Sequence, residues 1–335
     1  MVVEVASTNF LTFFIMRMIF MDTEKLIKVL KNTKGITQTD ETQIIDCTQR
    51  FRTENEFKSF YKEVKGNEGD KCHINTRLDT YGRGCQHNCN YCYAKSLLDF
   101  RKLWDYEHPA VADINKIRRK IKRIKDVDVI RLGGMTDCFQ ELEKTERVTY
   151  ETIKALNEVG QEYLIVTKSD LIASPKYLEV LDPRLAHIQI TLTCTDDELY
   201  KKLDYENAPL PSKRIQAIET LQRNGFDVSV RLSPFIDSFV DYDVLADIQC
   251  DKILVEFLRV NTWVKRWFGY HIDLSEYTVK QSNYWHLPLS KKQELIRNIK
   301  GFKEITICED ESEAYEYWKH NFNPNPEDCC NLRKL

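Results

Sequence analysis

The chain has 335 residues, 42% of them hydrophobic and 30% charged, which predicts a soluble protein with a large core and no membrane partner. Its net charge of −3 excludes a global basic field, so any nucleic-acid contact must come from a local patch. Eleven cysteines, unevenly spread along so long a chain, argue against the disulfide framework of a small secreted domain and for a cytoplasmic, metal-using protein.

Residues 1–20 are rich in apolar side chains, and the run 10–21 is interrupted by Arg17. Glu4 and the lack of a basic leading region or a small-residue cleavage site oppose a secretory signal. The run is also short for a membrane span. It is expected to be an extension upstream of a start at Met21, or a peripheral helix. Residues 21–73 are charged and weakly periodic, with Leu26, Ile27 and Leu30 marking a short helix; they should pack on the domain that follows. From residue 74, β-rich runs alternate with helical patterns. Strands are predicted at 74–81, 128–132, 162–167, 186–193, 226–232 and 252–258. Between them Ile114, Ile117, Ile121 and Ile124 recur at helical spacing, as do Val148, Ile153 and Leu156. A third set is Ile215, Ile218 and Leu221, closed by Gly225. This alternation predicts an α/β fold of parallel strands with helical crossovers. Six units make a partial (β/α)6 TIM-type barrel over residues 74–300, with its functional face at the C-terminal strand ends. Residues 301–335 are a cysteine-containing extension with a strand at 304–307.

Three cysteines sit within eight residues, in the string Tyr81-Gly-Arg-Gly-Cys85-Gln-His-Asn-Cys89-Asn-Tyr-Cys92-Tyr93-Ala-Lys. Thiolates are the usual ligands of iron–sulfur clusters, and a [4Fe–4S] cube normally takes four. Cys85, Cys89 and Cys92 would leave one iron open, and an open position is what a metal needs to bind a reactant directly. Gly82 and Gly84 give the loop backbone freedom. A structural zinc site with His87 as fourth ligand is the alternative, although zinc ligands usually come as two separated pairs. Tyr91 and Tyr93 flank Cys92 and would shield the cluster or line the adjoining pocket.

The C-x3-C-x2-C loop resembles that of the radical S-adenosylmethionine (radical SAM) superfamily. The fuller string is similar to the branch related to spore photoproduct lyase, which shows Gly-Cys-x-His-x-Cys-x-Tyr-Cys-Tyr-Ala. The resemblance spans roughly residues 74–300. It implies that the open iron of a [4Fe–4S] cluster binds S-adenosyl-L-methionine (SAM), which is reductively cleaved to a 5′-deoxyadenosyl radical. It also implies a reductant such as flavodoxin or ferredoxin. The hard chemistry would be the cofactors' own. Gly133 and Gly134, which close the second predicted strand, match the superfamily's site for the SAM amino group, where paired glycines let a ligand approach the backbone. Thr136 and Asp137 resemble the branch's Ser/Thr-Asp pair; otherwise they cap a plain strand-to-helix turn. Lys168 would pair with the SAM carboxylate, or be a solvated loop lysine. Thr191 matches a family hydroxyl position, or simply faces inward from its strand. Arg214 ends a branch-like stretch and would form a buried ion pair near the site, unless it is a surface helix residue. Spore photoproduct lyase has a hydrogen-donating cysteine where this chain has Gly134, which weighs against thymine-dimer cleavage. Cys138 is the nearest substitute as hydrogen-atom donor.

Two segments bear on the substrate. Residues 116–125 put isoleucines on one helical face and seven cations on the others, either a phosphate-binding face or the solvated face of an outer helix. Trp263, Lys265, Arg266 and Trp267 interleave aromatics and cations over the barrel mouth. Such a pattern suits contact with single-stranded nucleic acid, and suits a packed lid equally. The expected function is a radical SAM enzyme acting on DNA or RNA as a lyase or modifying enzyme. The alternatives are a radical SAM enzyme acting on a protein, peptide or small metabolite, and a non-catalytic metal-cluster protein. Cys308, Cys329 and Cys330 either meet around a second cluster or metal, or remain buried inert thiols.

Overall fold

The computed structural model describes residues 23–32, 37, 38, 44 and 56–333; the stretch 1–20 lies outside them. Its frame is one eight-stranded sheet. The strands are β1 (Tyr61–Glu63), β2 (Thr76–Leu78), β3 (Val129–Leu132), β4 (Glu162–Thr167), β5 (Ala186–Leu192), β6 (Asp227–Phe235), β7 (Lys252–Phe257) and β8 (Glu304–Ile307). They lie side by side in chain order. β1 runs antiparallel to β2, and every later neighbour is parallel. Strands buried on both faces read as continuous apolar runs, and every residue of β5 is buried. Among the described residues no backbone pairing joins β1 to β8, so the sheet is open. β8, from the segment expected to be an extension, continues the same sheet beside β7.

The helices follow from the isoleucine and leucine spacings. Within the sheet region, α1 (Tyr93–Asp99) opens on Cys92. Next comes α2 (Ile114–Ile121), which buries Ile117 and Ile121 one turn apart and is capped by Asp113, whose carboxylate accepts the Asn115 amide at 2.7 Å. α3 (Val148–Val159) ends on left-handed Gly160. α4 (Pro211–Arg223) starts with Pro211 and buries Ala217, Ile218 and Leu221, and left-handed Gly225 follows its end. α5 (Thr262–Phe268) follows β7, and α6 (Ser312–Asn321) follows β8 and buries Trp318. The early helix expected around Leu26–Leu30 spans Thr23–Lys31.

The strand expected at 74–81 is shorter than its apolar run. After Leu78 the chain turns, and Tyr81–Gly82 pairs instead with Ala110–Val111. Asp79 makes the turn: its amide donates to Phe60 O at 2.8 Å, and its carboxylate is used elsewhere. The turn sends the following cysteines over the C-terminal strand ends. Among the described residues no helix is long and apolar enough to cross a membrane.

Candidate active site

The cysteine loop is a series of tight turns. Asn88 N donates to Cys85 O at 2.9 Å and Cys92 N to Cys89 O at 3.2 Å, with Asn88 in the left-handed region. Gly84 is required, because a Cβ there would run into the Asp105 carbonyl. Neighbouring loops clamp the turn. Asn90 N donates to Tyr205 O at 2.9 Å, Asn207 N to His87 O at 2.7 Å, and Gln86 N to Gln140 Oε1 at 2.8 Å. Cys85, Cys89 and Cys92 are free thiols, and all three line one cavity of about 260 Å³. Burial, with Asp137 nearby, pushes the Cys85 thiol up to about 12. Burial, with Glu206 nearby, also drives Cys89 far up. A bound metal reverses that balance by favouring the thiolate.

The same cavity is lined by Tyr91, Tyr93, Gly133, Gly134, Thr136, Asp137, Lys168 and Thr191. Gly133 is fixed by conformation and contact, Gly134 by contact alone. Gly133 has φ +78, and a Cβ on it would meet Val166 O at 2.5 Å. A Cβ on Gly134 would meet Cδ of Arg77 at 2.5 Å and its Cγ at 3.1 Å. The buried Asp79 holds this turn, accepting the amides of Gly134 at 2.7 Å and Met135 at 2.9 Å. The Tyr93 hydroxyl donates to Gly134 O. Thr136 and Asp137 serve the turn as well as the cavity. Thr136 Oγ1 donates to Tyr81 O at 2.7 Å. Asp137 accepts from Phe139 N at 2.8 Å, and from Thr167 Oγ1 and Lys168 N at 2.7 Å each. Asp137 thus ties the loop after β3 to the loop after β4. Burial would raise its carboxyl, but His87 and these donors hold it below its ordinary range.

Arg214 is buried, with Nη2 2.5 Å from Glu206 Oε1. Glu206 is the residue that sequence reasoning passed over. Its other oxygen accepts the Tyr91 hydroxyl and lies 3.2 Å from Cys89 Sγ and 3.8 Å from Lys168 Nζ. Burial opposes its charge, but Arg214 and Lys168 outweigh that and hold its pKa at about 2. One carboxylate therefore joins the cysteine loop, the expected SAM-carboxylate lysine and α4. The Arg214 in the branch-like pattern was the only signal that a buried acid stood near.

Cys138 is buried in the main apolar cluster with Phe139 and Tyr177, behind the Gly133 turn rather than in the described cavity wall. The basic helix is an ordinary outer one: Lys116 reaches Glu56 at 2.5 Å and Arg118 reaches Glu151 at 2.6 Å. On α5, Val264 lines the cavity, while Lys265 and Arg266 are exposed and Trp263 and Trp267 are half-buried. The two indoles lie 5.3 Å apart, and Lys95 sits 5.0 Å from the Trp267 ring. The aromatic and cationic residues therefore stand at the rim, not inside.

Residues 80–245 match the family model of the radical SAM superfamily. The chain carries a radical SAM domain. Two curated relatives are similar in sequence. An uncharacterized protein of Methanocaldococcus jannaschii is 28% identical over 163 residues, 48% of this chain and 61% of that protein. GTP 3′,8-cyclase of Staphylococcus carnosus is 24% identical over 245 residues, 71% of this chain and 66% of the cyclase. The chain thus matches less than two thirds of the length of either relative. Among solved structures, a spore photoproduct lyase mutant with bound AdoMet and dinucleoside spore photoproduct has a similar fold. Its TM-score is 0.54 at 12% identity, over 75% of this chain and 79% of that one. The radical SAM match thus lies on a mostly parallel α/β sheet, and the proteins it resembles include enzymes.

Proposed function

We propose that Cys85, Cys89 and Cys92 hold a [4Fe–4S] cluster, and that the enzyme uses it to cleave SAM reductively and turn the 5′-deoxyadenosyl radical on a substrate in the shared cavity. The observation that carries this is the convergence on one cavity of three free thiols, the Gly133-Gly134 turn and Lys168. The donor set fits a cluster that leaves one metal position open. His87, the fourth ligand a zinc site would need, also lines the cavity, with its Nε2 3.2 Å from Asp137, and the reconstitution below separates the two metals.

Bound there, the cluster would supply the electron that breaks the C–S bond of SAM. The chain's own residues do the placing. Lys168 offers a cation to the SAM carboxylate, and Glu206 fixes that lysine while keeping its own charge compensated by Arg214. Asp79 and Tyr93 hold the Gly133-Gly134 turn, whose backbone would meet the SAM amino group. Thr191 lines the wall between them. Tyr91 packs against Tyr205 and Phe268 and helps to keep water from the thiols. The electron would come from a small cytoplasmic donor such as flavodoxin or ferredoxin.

Nucleic acid, acted on by a lyase or a modifying enzyme, is the substrate class that the rim residues Trp263, Lys265, Arg266 and Trp267 favour. The likeness in fold to a spore photoproduct lyase bound to a dinucleoside photoproduct points the same way. A protein, peptide or small metabolite is the second choice. Anaerobic reconstitution followed by reduction tests the radical chemistry. The wild type should release 5′-deoxyadenosine and C85A/C89A/C92A should release none. Bound zinc without SAM cleavage would reject the proposal.

A further inference from the structure

We propose that Cys72, Cys308, Cys329 and Cys330 hold a second iron–sulfur cluster in the wall of the same cavity. The four thiols come from distant parts of the chain. Cys72 lies in the connection from β1 to β2, Cys308 directly follows β8, and Cys329 and Cys330 lie in the tail beyond α6. β1 and β8 are the two edges of the open sheet, so the thiols meet across its seam. Lys71 crosses the same seam, donating to Asp310 O at 2.7 Å and lying 4.9 Å from the Tyr315 ring. Cys329 is within hydrogen-bonding reach of both Cys308 and Cys330, and Cys72 lies close enough to Cys308 and Cys330 for their charges to act on its thiol. All four are free thiols. Cys72, Cys308 and Cys329 line the cavity that also holds Cys85, Cys89 and Cys92.

The charge around them suits an anionic centre. Arg131 faces Cys72 and Cys330, and its Nε is buried without a hydrogen-bond partner. Arg231 faces Cys308 and Cys330 as well as Glu256. Neutral thiols would leave the Arg131 Nε unmatched, whereas Arg231 is already paired with Glu256 and Gln189. Four thiolates around an iron–sulfur core carry net negative charge, which the two guanidiniums would offset. The spacing favours a cluster over a single ion. Among the described residues, the metal-ligating atoms that gather within 4.8 Å of one another are those of His286, Glu309 and Asp310, not these sulfurs. The thiols are therefore spread wider than the shell of one zinc.

The test is anaerobic reconstitution of the full chain with iron and sulfide, in the wild type, C85A/C89A/C92A and C308A/C329A/C330A. The wild type should bind about eight irons and each variant about four. The loop variant should keep a cluster absorption band and a reduced-cluster electron paramagnetic resonance signal while cleaving no SAM. The tail variant should still cleave SAM. A loop variant that binds no iron, that binds zinc instead, or that forms a disulfide among the four thiols would overturn the inference. The loop variant keeps the tail intact, so its iron count decides the matter even if the tail variant fails to fold.

Discussion

Glu206 is the residue on which the site's electrostatics turn. It is fully buried, and its two oxygens serve Arg214, Tyr91, Cys89 and Lys168. Removing one partner of a buried ion pair leaves the other charge uncompensated, a cost of about 3–5 kcal/mol. Glu206→Gln keeps the volume and removes the charge, so it should lower unfolding stability by that amount in urea titrations. A change below about 1 kcal/mol would mean that Arg214 finds compensation elsewhere. The cysteines were legible because their spacing is the chemistry. Glu206 and Asp79 were not, because a buried acid is known by the groups it meets, and those lie 8 to 117 residues away for Glu206 and 55 away for Asp79.

At the scale of elements, a polar layer links neighbouring strands near their starts. His187 on β5 places Nδ1 2.6 Å from Asp227 on β6 and Nε2 3.1 Å from Glu162 on β4. Lys252 on β7 reaches the other oxygen of Asp227 at 2.8 Å, and the Arg333 amide donates to Asp227 at 2.8 Å. Burial would lower the His187 pKa, but its bonds to Asp227 and Glu162 outweigh that and raise it above 6.5. A raised folded value means that the stabilisation is complete below about 6.5 and lost as pH rises through the folded value. Asp227, held well down against burial by His187 and Lys252, works in the opposite direction. Its share is complete above about 3.9 and lost as pH falls. Unfolding free energy measured by urea at a series of pH values should therefore decline above neutrality in the wild type, and His187→Gln should flatten that decline. An unchanged slope would show that the imidazole is not the titrating group. The strands carrying this layer were readable from their apolar runs. The docking of the tail beneath them was not, because Asn331 O and the Arg333 amide bond through the backbone and the Arg333 guanidinium reaches backbone carbonyls, and neither leaves a side-chain pattern in the sequence.

The described residues form an open α/β sheet whose main cavity has Cys85, Cys89 and Cys92 on one wall and tail cysteines on another. Its net charge of −3 gives no long-range attraction for a polyanion, so nucleic-acid binding would depend on the cations gathered at the rim of α5. Two consequences separate a nucleic-acid substrate from a peptide or metabolite. Lys265→Ala and Arg266→Ala should each reduce the dependence of log affinity on log salt by about 1, with losses similar across sequences. Trp263→Ala should cost about 1–3 kcal/mol of single-strand affinity through lost stacking. None of these three side chains is in the described cavity wall, so SAM cleavage in the absence of substrate should continue at the wild-type rate. Fluorescence anisotropy with labelled single strands at several salt concentrations, beside 5′-deoxyadenosine release, measures both. If affinity ignores salt and survives all three substitutions, the rim is a packed lid. The radical would then be aimed at something small enough to pass beneath it.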